Sequence, residues 1–76
     1  MPRKLIIKNS IRTLRFFANE MTQQELADKI GASRQTVIAI EAGKYSPSLE
    51  MAFRIADAFG AKLDDVFTYE IVNGDN

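Results

Sequence analysis

Apolar residues recur at three- and four-residue steps through most of this chain, and each periodic run is bracketed by residues that start or stop helices. Ile11, Leu14, Phe17 and Ala18 make one stripe, with Asn9 or Ser10 available as its cap. Thr22 opens a second run, and Glu25 three residues later completes the pattern of a capping box. Leu26, Ala27 and Ile30 form its inner face, and Gly31 suits the left-handed residue just past a helix end. Ser33 caps a third helix expected over 34–42, which Gly43 stops. Pro47 and Ser48 introduce a fourth, Leu49 to about Phe59. Its Glu50, Arg54 and Asp57 share one face while nearly everything else is apolar, so it is expected to be largely buried. Gly60 ends it, and Leu63 to Phe67 reads as a short fifth helix. The stretch TYEIV, 68–72, has the β-branched and aromatic content of a strand. The fold class is therefore all-α, five helices in a single domain.

The second and third helices are separated by a turn of about three residues, the spacing of a bent helix-turn-helix pair over 23–42. That geometry needs a small residue where the helices cross, a glycine in the turn, and apolar plugs on the third helix. Ala27, Gly31, Val37 and Ile40 meet these needs in register, with both caps in place. With Val37 and Ile40 turned inward, the outer face of the third helix is Arg34, Gln35, Ile38, Ala39 and Ala42. A helix start carrying Arg and Gln suits the DNA major groove. Arg bonds bidentately to guanine O6 and N7 and Gln to adenine N6 and N7, each worth about 1–3 kcal/mol of discrimination. Ile38 can meet a thymine methyl, and the two alanines let the helix lie deep. A helix start that is polar by chance would leave the apolar strip of Ile38, Ala39 and Ala42 unexplained.

Composition narrows the function classes. At 76 residues the chain buries only about 60–65% of its unfolded surface, so its core must be dense or completed by a partner chain. It contains neither His nor Cys, which excludes disulfides, a structural zinc, and a His- or Cys-based catalytic site; no metal or cofactor is implied. The opening MPRKLIIKNS has too short an apolar run for a signal peptide or membrane span, giving a cytoplasmic protein as the expectation. The net charge of zero hides a gradient: residues 1–19 carry +5, 20–49 carry −1 and 50–76 carry −4. A basic front of this kind is a nucleic-acid footprint.

The segment TQQELADKIGASRQTVIAIEAGKYSPSLEMAFRIADAFG resembles the lambda-repressor-like, Cro/repressor-type helix-turn-helix regulators, in particular their short single-domain members. The likeness extends over roughly residues 9–67. It implies a five-helix domain that binds double-stranded operator DNA as a homodimer, with no small-molecule ligand. It also implies roles for individual residues. Gln23 and Ser33 would contact backbone phosphate, Arg34, Gln35 and Ile38 would face bases, and Lys44 with Tyr45 would grip the backbone. Arg15 would pair with Glu41 inside the domain. Two departures stand out. The link RFFANEMT is one residue longer than is usual, with Glu20 where a glycine is common, and the face around Ala39 is poor in hydrogen-bonding groups. Specificity would then rest on few base contacts plus DNA shape.

An enzyme is disfavoured. Asp64 and Asp65 are helix neighbours that point about 100° apart, and there is no phosphate-cradling glycine loop or nucleophile with a base nearby. The rival is a protein-interaction module of the same fold, such as an antitoxin subunit. A DNA binder is distinguished by a positive face joining Arg12, Arg34 and Lys44. The chain ends leave Leu5-Ile6-Ile7 and Tyr69-Glu70-Ile71-Val72, too apolar for disordered tails. They are expected to pair as a short two-stranded β-ribbon, within one chain or across a dimer. Phe67 and Tyr69 would pack beneath it, and Arg3, Lys4 and Lys8 would face Glu70 and Asp75.

Overall fold

The computed structural model describes residues 3–72. In chain order it comprises β1 (Lys4–Asn9), α1 (Ile11–Phe17), α2 (Gln23–Ile30), α3 (Arg34–Glu41), α4 (Leu49–Ala58), α5 (Leu63–Val66) and β2 (Phe67–Val72). The five helices form a small bundle, and the two chain ends meet in an antiparallel pair that runs from Lys4 opposite Val72 to Asn9 opposite Phe67.

Local chemistry accounts for most boundaries. The Thr22 Oγ1 accepts from the Glu25 amide at 3.0 Å, and the Glu25 carboxylate accepts from the Thr22 amide at 2.8 Å, closing the capping box of α2. Gly31 ends that helix at φ +72°, a left-handed conformation that glycine adopts without the strain most side chains incur. Ser33 and Ser48 cap α3 and α4 by accepting from the amides of Thr36 and Met51, each at 3.1 Å. The helices are slightly shorter than their periodicity suggests: Ala42 is the C-cap of α3, α4 ends at Ala58, and Phe67 belongs to β2 rather than α5.

The core is one cluster of Ile11, Leu26, Ala27, Ile30, Val37, Ile40, Ile55, Ala56 and Val66. At about 1.5–3 kcal/mol for each large aliphatic side chain removed from water, this cluster supplies most of the drive to fold. Ala27 is fully buried between α2 and α3, so the crossing of the two helices depends on its small side chain.

Three expectations need correction. Phe17 does not join the inner stripe of α1; it is the last residue of that helix and 78% exposed, stacked edge-on against Phe16 with ring centroids 5.3 Å apart. The helix is only two turns long, and the chain leaves it before the stripe returns to the core. Helix α4 is not largely buried. Ala52, Ile55 and Ala56 face inward, whereas Leu49 and Phe53, one turn apart, are 68% and 53% exposed. Tyr69 does not pack beneath the ribbon, because both faces of a two-stranded sheet remain open to solvent; it is 64% exposed, while Phe67 at the ribbon root does pack on the core.

The ribbon forms within one chain, and its faces differ. Leu5, Ile7, Tyr69 and Ile71 alternate onto one side, while Lys4, Ile6, Lys8, Thr68, Glu70 and Val72 take the other. Lys8 pairs with Glu70 at 3.2 Å on that second side. The expected partner Asp75 lies outside the described residues.

Candidate nucleic-acid interface

Helix α3 is held by its inner residues and presents its outer ones. Val37 and Ile40 are buried in the cluster, while Arg34 and Gln35 on the first turn, and Ile38 one turn further, lie on the exposed side. Ala39 is half-buried and Ala42 exposed. The first turn is reinforced at Ser33, whose hydroxyl accepts from the Thr36 amide and lies 3.0 Å from the Thr36 hydroxyl. The Ser33 oxygen is thus engaged as a cap, and its hydroxyl also shares a hydrogen bond with that of Thr36.

The surface beside α3 gathers residues from three helices. Arg12 from α1, Gln23 and Gln24 from the start of α2, and Arg34 line one shallow concavity, floored by Arg15 and Glu41. Asn9, Arg12, Gln23, Ile38 and Ala42 line its continuation along the helix. Among the described residues, Arg12, Arg34 and Lys44 make no ion pair, so their charges are directed to solvent. Gln23 is half-buried at the first position of α2, where helix amides not bonded within the helix also point.

Four residues of the anticipated set, Ser33, Gln35, Lys44 and Tyr45, do not line this concavity. Lys44 and Tyr45 are exposed in the loop after Gly43, and Tyr45 lines a separate groove with Leu5, Ile6, Ile7 and Pro47. That groove runs between the ribbon and the loop leaving α3.

Beneath the concavity, Arg15 and Glu41 form a two-point pair: Arg15 Nε donates to Glu41 Oε1 at 3.1 Å and Nη2 to Oε2 at 2.8 Å. A third Arg15 bond runs from Nη1 to the Met21 carbonyl at 2.8 Å, tying the turn before α2 to the same guanidinium. The turn itself passes through left-handed backbone at Asn19 (φ +59°) and Glu20 (φ +53°). The sequence offers Asn9 only as a cap for α1. Its Oδ1 does accept from the Ile11 amide at 3.1 Å, while its Nδ2 reaches across to the Ile40 carbonyl at 3.1 Å. No local pattern announces that second bond, which spans 31 residues of sequence.

A tight pair of capped helices crossing at an alanine, with the second helix anchored on one side and polar at its exposed start, defines a helix-turn-helix unit. A family model described as helix-turn-helix matches residues 11–66. An uncharacterized HTH-type transcriptional regulator of Methanocaldococcus jannaschii is 55% identical over 64 residues, spanning 84% of this chain and 96% of the relative. One of Bacillus subtilis, YgzD, is 43% identical over 67 residues, spanning 88% of this chain and all of the relative. The chain belongs to the helix-turn-helix family, of the Cro/repressor type.

Proposed function

We propose that this protein is a sequence-specific DNA-binding transcriptional regulator that lays α3 in the major groove and binds a pseudo-palindromic operator as a homodimer. The observation that carries the proposal is the sidedness of α3: Val37 and Ile40 are buried, Arg34 and Gln35 are exposed on the first turn, and Arg34 makes no ion pair among the described residues. The names of the relatives as HTH-type transcriptional regulators support the same reading. Arg34, Gln35 and Ile38 read bases. Gln23, Ser33 and Lys44 contact backbone phosphates, and Tyr45, set further round toward the ribbon, reaches the flanking backbone. Arg12 adds charge to the same face.

A symmetric operator requires two copies of α3 about 34 Å apart, and hence a contact between chains. The apolar side of the ribbon, Leu5, Ile7, Tyr69 and Ile71, is the surface we assign to that contact, since an isolated two-stranded sheet is marginally stable in water. A protein-interaction role on the same fold is favoured by the exposed Phe16–Phe17 pair at the end of α1. It is compatible with DNA binding.

Titration of a mixed-sequence duplex at rising salt tests the DNA reading. Affinity that falls linearly on a log–log plot supports several phosphate contacts, and absence of binding at low salt removes the proposal.

A further inference from the structure

Helix α3 is gripped at its last turn from two sides, and both grips come from the ends of α1. Arg15, near the C-terminal end of α1, holds the Glu41 carboxylate. Asn9, immediately before the N-terminal end, holds the backbone: its Nδ2 donates to the Ile40 carbonyl at 3.1 Å and lies 3.4 Å from the Glu41 carbonyl. The Asn9 side chain is itself fixed. Its Oδ1 accepts from the Ile11 amide, and the next residue, Ser10, donates its amide to the Val66 carbonyl at 2.8 Å. Asn9 is also the last residue of β1, opposite Phe67, and it borders both the concavity containing Gln23 and Ile38 and the groove under the ribbon.

Resting on the DNA-binding reading above, we propose that Asn9 is a positioning residue for base recognition. It holds the tilt of α3 against the domain and links that tilt to the ribbon root. The lever is short. An eight-residue helix is about 12 Å long, so a tilt of about 10° about one end displaces the other by about 2 Å. Hydrogen bonds to base edges tolerate far less than that. Phosphate contacts from flexible Lys and Arg side chains tolerate more, so loss of the tether erodes specificity before it erodes general affinity.

The test is the full chain with Asn9→Ser. Serine retains an oxygen for the Ile11 amide but is too short to reach Ile40. Two measurements are made on it. One is amide hydrogen exchange at Gly43 and Lys44, whose amides bond the Ile40 and Ala39 carbonyls. The other is the affinity ratio between a duplex recovered by the wild-type protein from a random pool and a scrambled duplex of equal composition. We expect exchange at Gly43 and Lys44 to accelerate while Leu26 and Ile30 in α2 are unchanged. We also expect the ratio to fall about tenfold, the size of one misplaced base contact, with the scrambled-duplex affinity and its salt slope preserved. Unchanged exchange shows that there is no tether, and unchanged specificity with accelerated exchange shows that the tether does not position α3; either overturns the proposal. Equal acceleration in α2 also overturns it, by reducing Asn9 to a general stability residue. If the wild-type protein enriches no duplex at all, the DNA reading itself has failed, while the exchange result still decides the tether.

Discussion

Arg15 and Glu41 meet through two parallel hydrogen bonds of 3.1 and 2.8 Å, and their side chains are only 16% and 12% exposed. A pair this enclosed is informative when broken, because the survivor is left as a half-buried charge without its partner. Glu41→Gln is expected to destabilise the domain, by up to about 3–5 kcal/mol, the cost of breaking a fully buried pair. Thermal or urea unfolding measures it, and a wild-type melting curve for Glu41→Gln would contradict the role given to the pair.

The turn between α1 and α2 makes a prediction of opposite sign. Left-handed backbone at a non-glycine residue costs about 1–3 kcal/mol, and glycine returns about 0.4–1 kcal/mol of that as unfolded-state entropy. Glu20, at φ +53°, has a side chain that forms no hydrogen bond or ion pair among the described residues. Glu20→Gly is therefore expected to raise the melting temperature by a few degrees. Asn19→Gly gains less, since Asn tolerates this region. A drop in melting temperature for Glu20→Gly would show that the turn is not strained.

Arg34→Ala and Gln35→Ala are expected to leave the melting temperature nearly unchanged, since both side chains lie outside the core. Each is expected to weaken binding to a selected duplex by about 1–3 kcal/mol while affecting scrambled DNA little. Lys44→Ala behaves differently, lowering affinity for every sequence and flattening the salt dependence. Equal losses on both duplexes for Arg34→Ala would reassign it to the phosphates.

Ribbon-face variants separate folding from association. Ile7→Thr with Tyr69→Thr keeps the strand preference of both positions but makes half of the ribbon's apolar side polar, leaving Leu5 and Ile71. Sedimentation equilibrium is expected to show a dimer for the wild-type chain and a shift toward monomer for the double variant. An unchanged association constant would place the contact elsewhere, for example on Leu49 and Phe53 of α4.

What could be read from the sequence was what depends on near neighbours. Thr22 with Glu25, Gly31, Ser33 and Ser48 each act over a few residues, so caps and turns appear as spacing. Ala27, Val37 and Ile40 were legible because a crossing of two adjacent helices constrains size and period together. Phe17, Leu49 and Phe53 were misplaced for one reason: periodicity marks a stripe but does not say how far along a short helix a neighbour covers it. Asn9 was half seen. Its bond to Ile11 is local, and its bond to Ile40 exists only once β1, α1 and α3 are in place.

Selection of bound sequences from a random duplex pool tests the central claim most directly, because it reads specificity, symmetry and spacing together. Two half-sites related by a two-fold axis and centred about one helical turn apart are expected, with positions of strong preference that weaken when Arg34 or Gln35 is replaced. Recovery of a pool no different from its starting composition, under salt conditions where the protein binds DNA, would contradict sequence recognition by α3.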